Sequence, residues 1–165
     1  MRLPTGYRLW EHVGTRIKPD GFSVLDGSKI TIPQVMDAYV EPSAYQSFKK
    51  TGKWPEGTQI VKEYSLVKTG PDCNTTTFVC STRFGRGVFE ERYAGLGMMI
   101  KDSRLFPLTA GNWGYFSFLP AGTRYQLIAG ARPREQCSSC HEKGAAETDY
   151  VFSKSHIGLL PGNMQ

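Results

Sequence analysis

The sequence predicts a single α+β domain in which an antiparallel β-sheet is accompanied by a few short helices. The chain has 165 residues, which is enough for one hydrophobic core but short for two. Its 18 glycines and 10 prolines indicate many turns, and this favours short strands over a helical bundle. Several segments also alternate apolar and polar side chains with the period of two that is typical of strands. We therefore expect one domain over residues 1–165.

Short helices and strands follow one another along the chain. A helix is predicted over 43–50, because Pro42 suits its first turn and Gly52 suits its end. Tyr45 and Phe48 lie on one face of this helix. The remaining predicted elements are strands over 57–67, 87–102 and 113–119, a helix from 133 to about 146, and one or two further helical turns over 149–156.

The basic residues are scattered along the chain. The formal net charge is +5, whereas a nucleic-acid-binding protein usually gathers its basic residues into one patch or stripe. We therefore expect no nucleic-acid partner. The apolar runs are too short to cross a bilayer, so we expect no membrane span either.

Four cysteines form two pairs, and the C-terminal pair carries a specific motif. Cys137 and Cys140 are followed directly by His141, which gives the C-x-x-C-H string that attaches a c-type haem. The two thiols add to the porphyrin vinyl groups, and the histidine becomes an axial ligand of the iron. A zinc knuckle would need two more ligands nearby, and a thioredoxin-like pair would need a βαβ setting. The sequence therefore predicts one covalent haem c, held by the C-terminal helix.

The other pair, Cys73 and Cys80, encloses a short turn that leads into a strand. In bacteria, haem is attached to c-type cytochromes outside the cytoplasm, where thiols also oxidise, and this favours a disulfide between the two. Two free buried thiols are the open alternative. Because haem c is attached outside the cytoplasm, we expect a periplasmic protein. Met1 leads straight into sequence that looks folded, so we interpret the chain as a mature form whose signal peptide has been removed.

Lys62 stands out within the predicted strand over 57–67. Side chains alternate between the two faces of a strand, so Lys62 shares one face with Ile60 and Tyr64. A lysine on an apolar face is costly unless it is paired, deprotonated or chemically used. Alternatively, its stem packs on Tyr64 while the ammonium group reaches water. From the residues alone, both interpretations stay open.

Several blocks of the chain resemble the cytochrome P-460 family. The similarity extends from about Tyr7 to Phe152 and includes several unusual segments. Its blocks are 48–58, 60–63, 101–103 with Phe106, 111–118, 137–141, and Ala145, Asp149, Val151 and Phe152.

This resemblance implies a sheet-rich α+β fold, a homodimer, and one c-type haem with five-coordinate iron. Family members that oxidise hydroxylamine carry an extra covalent bond between a lysine nitrogen and a haem meso carbon. That lysine lies in the segment that 60–63 resembles, so the role carries over to Lys62. The related cytochromes c′-beta lack this bond and bind nitric oxide behind an apolar wall.

An open iron face requires that no second side chain ligates the metal. Met98 and Met99 lie in a strand pattern where methionine usually fills the core. We interpret His12 as structural and His156 as a surface or structural residue. We therefore expect the iron to keep an open position.

An open iron position together with the resemblance makes hydroxylamine oxidation the leading prediction, with electrons passing to an external acceptor such as another cytochrome. The alternatives are a non-catalytic cytochrome that binds NO or CO, and a simple electron carrier.

Overall fold

A five-stranded antiparallel sheet forms the centre of the structure, a computed structural model that describes residues 1–160. The sheet has the order β1-β2-β3-β6-β7, and β4–β5 and β8–β9 are separate hairpins. Two α-helices accompany these strands, so the predicted α+β class with an antiparallel sheet is confirmed. Residues 161–165 of the predicted domain lie outside the described residues. The elements are β1 (Glu11–Lys18), β2 (Gln34–Val40), α1 (Pro42–Thr51), β3 (Gln59–Val67), β4 (Cys80–Thr82), β5 (Gly85–Gly87), β6 (Glu90–Lys101), β7 (Trp113–Phe118), β8 (Pro120–Ala121), β9 (Arg124–Tyr125) and α2 (Ser138–Gly144).

Helix α1 begins and ends where the sequence predicts. The Glu41 carboxylate accepts hydrogen bonds from the backbone N–H groups of Ser43 and Ala44, and so caps two of the free donors at the helix N-terminus. Gly52 ends the helix in a left-handed conformation with φ 70°, which a residue without a Cβ adopts at little cost.

The predicted C-terminal helix over 133–146 is too long. Helix α2 covers only Ser138–Gly144, because Cys137 has a non-helical φ of −133° and Ala145 leaves the helix with φ −144°. Beyond it the chain continues in short 3₁₀ turns, Ala146–Thr148, Ser153–Ser155 and Ile157–Leu159. The predicted strand over 87–102 is also too long, since β6 begins at Glu90 and Gly87 belongs to the β4–β5 hairpin.

The two faces of the central sheet carry different side chains, and we call them the cavity face and the back face. On the cavity face, Lys62 of β3 lies between Ala38 of β2 and Gly97 of β6. On the back face, the next residue, Glu63, lies opposite Leu96 of β6. The back-face core consists of Tyr7, Val61, Leu96, Met98, Phe116 and Phe118, and the cavity-face core includes Ala38, Val40, Ile60, Met99, Trp113 and Tyr115.

The Cys73–Cys80 pair lies at the β4–β5 hairpin, and Cys80 Sγ is 3.6 Å from the carbonyl oxygen of Lys68, the residue that follows β3. The structure joins Cys73 and Cys80 by a disulfide, and Cys80 is fully buried at the start of β4. A short loop of this kind has fewer unfolded conformations once it is cross-linked, which stabilises the hairpin. Neither cysteine lines the cavity described below.

Candidate functional site

A cavity of about 560 Å³ opens on the cavity face of the sheet. This volume is within the usual range for a small-molecule or cofactor site. Strands β1, β2, β3, β6 and β7 provide the floor, and the start of α2 provides one wall. The lining residues are Arg16, Ile17, Lys18, Pro19, Val24, Met36, Ile60, Lys62, Tyr64, Gly97, Met98, Met99, Tyr115, Phe116, Ser117, Gln136, Cys137, Cys140, His141 and Phe152.

The structure brings Cys137, Cys140 and His141 together in the wall of this cavity. Both cysteines have free thiols. The Nδ1–H of His141 donates a 2.7 Å hydrogen bond to the carbonyl oxygen of Tyr150, which leaves Nε2 free to bind a metal. Burial lowers the pKa of His141 and so favours the neutral imidazole that ligates iron. Two thiols and one free imidazole nitrogen are the set of groups that a c-type haem needs.

The carbonyl group that orients His141 belongs to a tightly anchored turn. Asp149 and Tyr150 both have left-handed backbones, with φ 54° and 61°, which is uncommon for residues other than glycine. The Asp149 carboxylate is 2.5 Å from the ammonium nitrogen of Lys101, and its backbone carbonyl accepts a 2.9 Å bond from Trp113 Nε1. These contacts hold the turn in a conformation that is otherwise unfavourable.

Two aromatic rings flank the His141 imidazole. The ring centroids of Tyr115 and Phe152 each lie 4.8 Å from that of His141. Together with the bond to Tyr150, these contacts restrict rotation of the imidazole, as is typical of a metal-binding histidine.

Lys62 lies in the middle of the cavity floor, on the same face as Ile60 and Tyr64. Its cross-strand neighbours, Ala38 and Gly97, are small, so no large side chain fills the space beside it. Burial lowers the pKa of Lys62 to about 8, and the positive charge of Arg16 acts in the same direction. Within residues 1–160 its amine has no hydrogen-bond or salt-bridge partner.

The cavity contains hydroxyl groups but no carboxylate among the described residues. Burial raises the pKa of Tyr64 and of Tyr115, which keeps both phenols protonated. The Tyr115 hydroxyl is buried and has no partner within residues 1–160. No Asp or Glu of this part of the chain lines the cavity, so a base that accepts protons is not supplied by a carboxylate here.

The other candidate ligands are two methionines that contribute to the cavity lining and two histidines that do not. The side chain of Met98 packs in the back-face core and that of Met99 in the cavity-face core, as filler residues do. His12 is exposed on β1, with Nε2 3.3 Å from Asp37 Oδ1. The surface alternative for His156 is wrong, because its side chain is buried against the backbone near Gly14.

Sequence reasoning missed the residues that β1 contributes. Arg16 and Lys18 lie two residues apart in β1 and both line the cavity. The only available signal was this spacing of two, which places both side chains on one face once β1 is recognised as a strand.

No helix within residues 1–160 is long and apolar enough to cross a membrane. Nor do these residues contain a cluster of three or more His, Cys, Asp and Glu side chains arranged to hold a metal ion.

Comparison with known proteins assigns the chain to a family. The family model for cytochrome P-460 matches residues 4–153, which is most of the chain and includes both Lys62 and the C-x-x-C-H string. A search of curated proteins finds no match. The family implies haem binding, in agreement with the thiols and the free imidazole nitrogen in the cavity wall. The chain therefore belongs to the cytochrome P-460 family.

Proposed function

We propose that this cytochrome carries a single haem c that is bound through Cys137 and Cys140, is ligated by His141 and oxidises hydroxylamine. The two free thiols and the free Nε2 in one cavity wall support this attachment. When bound, the haem would supply an open iron position and one-electron redox chemistry. The protein would supply attachment, orientation and control of the surroundings.

The observation that carries the hydroxylamine assignment is the position of Lys62. Its amine faces the same cavity as His141, has no partner within residues 1–160, and has a pKa of about 8. A neutral amine is nucleophilic, whereas a solvated ammonium ion is not. Lys62 is therefore placed to form the lysine–haem bond that the family resemblance implies for hydroxylamine-oxidising members. In that bond a C–N bond would replace the meso C–H bond, with the release of two protons and the transfer of two electrons to an external oxidant.

The polar groups in the cavity limit how protons move. Oxidation of hydroxylamine to nitric oxide releases three protons and three electrons. Because Tyr64 and Tyr115 stay protonated, neither phenol is suited to accept the protons that hydroxylamine loses. The protons would then leave through water, and the electrons would pass to an external acceptor such as another cytochrome.

Mass spectrometry tests this proposal directly. Peptide mapping of the holoprotein is expected to find one haem joined both to the peptide containing Cys137–His141 and to the peptide containing Lys62. The Lys62→Leu variant is expected to keep its two thioether bonds, regain the absorption spectrum of an ordinary haem c, and lose hydroxylamine oxidation. Lys18 lines the same cavity, so a Lys18 peptide without haem is the internal control. A wild-type haem with thioether bonds alone would contradict the enzyme assignment.

One observation favours a second candidate, a non-catalytic cytochrome that binds NO or CO. The part of the cavity lined by described residues has apolar walls formed by residues such as Met36, Ile60 and Met99, and no carboxylate. An uncharged diatomic ligand fits such walls, and its binding requires no proton acceptor. Rapid CO binding by the reduced protein without hydroxylamine turnover would favour this function. A reduced protein that fails to bind CO would instead point to the third candidate, an electron carrier.

Two further proposals concern location and assembly. The Cys73–Cys80 disulfide supports a periplasmic location, because such bonds persist in oxidising compartments. If Cys137 and Cys140 also form thioethers, thiol titration of the denatured holoprotein without reductant is expected to detect no free thiol. The homodimer that the resemblance implies is tested by light scattering during gel filtration.

A further inference from the structure

The charges that line the cavity are unbalanced. Three cationic side chains contribute to the lining, Arg16, Lys18 and Lys62, whereas none of the described lining residues is an Asp or a Glu. Positive charges beside an apolar surface are costly unless an anion accompanies them. The cavity is therefore electrostatically suited to a ligand that carries negative charge.

Arg16 is an exposed cation at the β1 edge of the cavity. Its guanidinium group lowers the pKa of Lys62, so it is close enough to act on the cavity interior. Within residues 1–160 it forms no hydrogen bond and no salt bridge. The Lys18 ammonium, by comparison, already donates a hydrogen bond to the Phe22 carbonyl oxygen.

The cysteines and these cations lie at opposite ends of the cavity. Helix α2, which follows Cys137 and contains Cys140, packs against β7 at one edge of the sheet. Arg16 and Lys18 belong to β1 at the other edge. Four strand spacings separate β1 from β7, roughly 19 Å in a sheet with about 4.8 Å between strands. Lys62, on β3, lies between them.

A porphyrin of haem c has the same polarity. Its vinyl groups, which react with the cysteine thiols, lie towards one edge of the ring, and its two propionates lie towards the other. From this match we propose that Arg16, assisted by Lys18, binds the haem propionates at the β1 edge of the cavity. The inference rests on the proposed attachment through Cys137 and Cys140, which fixes the direction of the ring.

Arginine suits this role because its planar guanidinium forms paired hydrogen bonds with a carboxylate. Lys62 is less suited, because it lies under the middle of the cavity and not at its β1 edge. The two propionates would offset the charges of Arg16 and Lys18, in a wall that has no acid among its described residues.

The test is the Arg16→Gln variant of the holoprotein, studied by potentiometry and resonance Raman spectroscopy. The oxidised haem carries one more positive charge than the reduced haem, so the loss of a nearby cation favours oxidation. We expect the redox equilibrium to shift about tenfold towards the oxidised form, a fall of about 59 mV for one electron. The propionate bending band is expected to shift as its hydrogen bonds weaken. Lys18→Gln should show a smaller change of the same sign.

Two variants make the comparison specific. Arg16→Lys keeps the charge and is expected to retain most of the wild-type potential. Arg86→Gln removes an equal charge from exposed β5, away from the cavity, and is expected to leave the potential and the propionate band unchanged. Arg16 is exposed on an edge strand, so its substitution is expected to leave the fold intact, and circular dichroism checks this.

Failure of this inference can be distinguished from failure of the proposed function. Haem that separates from the denatured wild-type protein would refute covalent attachment, and the argument for ring direction would fail with it. Covalently attached haem whose potential and propionate band are unchanged in Arg16→Gln would refute the propionate assignment alone. Equal shifts in Arg16→Gln and Arg86→Gln would also refute it, because they would indicate only a response to net charge.

Discussion

Lys62 and Glu63 are neighbours in β3, but the two faces of the sheet surround their charges differently. On the back face, Glu63 is 5% exposed and accepts hydrogen bonds from Tyr7, Arg8 and Tyr125. On the cavity face, Lys62 has no such partner within residues 1–160, and its nearest charged influence is the like charge of Arg16. One charge is neutralised within the protein, and the other is left for a ligand.

The difference indicates that Glu63 stabilises the fold, whereas Lys62 belongs to the candidate site. A buried carboxylate with several donors is stable where it is and holds its neighbours in place. A cation without a partner within residues 1–160, in a cavity with two thiols and an imidazole, costs free energy in the protein alone. We therefore expect substitutions on the back face to affect stability, and substitutions on the cavity face to affect the cofactor.

The largest expected effect is that of Glu63→Gln. The new amide N–H group would face the donors of Arg8, and the two tyrosine hydroxyls would lose a charged acceptor. We expect the free energy of unfolding to fall by about 3 kcal/mol, less than for a fully enclosed pair because Arg8 is half exposed. Urea unfolding of the holoprotein measures this change.

The matched control on the cavity face is Lys18→Gln, because Lys18 lines the cavity and is not proposed to bond covalently to the haem. It is expected to change the free energy of unfolding by less than about 1 kcal/mol. The pH dependence adds a second check. Burial raises the pKa of Glu63, but its hydrogen bonds, led by that from Arg8, outweigh this and lower the pKa overall. The stabilising contribution is therefore present above pH ~4.3 and is lost as the pH falls further. Equal losses in both variants at pH 7 would contradict the contrast between the two faces.

His156 is expected to make the protein sensitive to mild acid. Burial lowers its pKa to about 4, and the charges of Lys62 and Arg16 add to this. In the unfolded chain its pKa is about 6.5, so between these values only the unfolded state binds the proton. Stability is then lost as the pH falls, by about 2 kcal/mol between pH 7 and pH 5. Urea unfolding at several pH values is expected to show a shallower slope for His156→Gln, whereas His12→Gln, at an exposed site, keeps the wild-type slope. An unchanged slope for His156→Gln would exclude this residue as the source.

Gly97→Leu tests whether the space beside Lys62 is the haem site. Gly97 lies opposite Lys62, and a Cβ atom there would be 3.7 Å from Tyr64 Cε2, an ordinary contact. The fold therefore tolerates Gly97→Ala, but a leucine side chain would occupy the cavity. We expect at least a roughly tenfold lower haem content per protein for Gly97→Leu, because the leucine side chain would block the site before the haem is attached, and almost no loss for Gly97→Ala. Haem content is measured by the pyridine haemochrome assay. Full haem content in Gly97→Leu would place the cofactor elsewhere.

The smallest expected effect on stability, below about 1 kcal/mol, is that of Asp149→Asn. Asparagine tolerates the left-handed backbone, so the turn is kept while the ion pair with Lys101 is lost. The Tyr150 carbonyl group is then held less firmly, and the iron–histidine stretching band of the reduced protein is expected to shift to lower frequency. Lys154→Gln, which breaks the exposed pair with Glu147, is the control and should leave that band unchanged.

Regular local patterns explain which parts of the fold were predictable. Pro42 and Gly52 delimit α1, and approximate alternation marks β3, because these signals depend only on neighbouring residues. The C-terminal helix was overestimated because its end depends on distant contacts. The chain beyond it turns through the left-handed residues Asp149 and Tyr150, and Asp149 contacts Lys101 and Trp113, which lie far away in the sequence.

The sequence by itself determined the chemistry of the candidate site. The C-x-x-C-H string identifies Cys137, Cys140 and His141 through spacing alone, and alternation places Lys62 beside Ile60 and Tyr64. These inferences need only residue type and local geometry, and both are properties of a short segment.

Only the tertiary structure decided the electrostatics of the cavity. Arg16 reaches it from β1, whereas the described acidic side chains lie elsewhere, with Asp37 bonded to Thr15 and Glu90 to Ser65. Whether a charge finds a partner depends on which strands pair and in what register, and residues far apart in the chain set both. Lys62 and Glu63 are adjacent in sequence but point to opposite faces of the sheet. The elements packed on the back face supply hydrogen-bond donors to Glu63, whereas those on the cavity face supply no partner to Lys62 within residues 1–160.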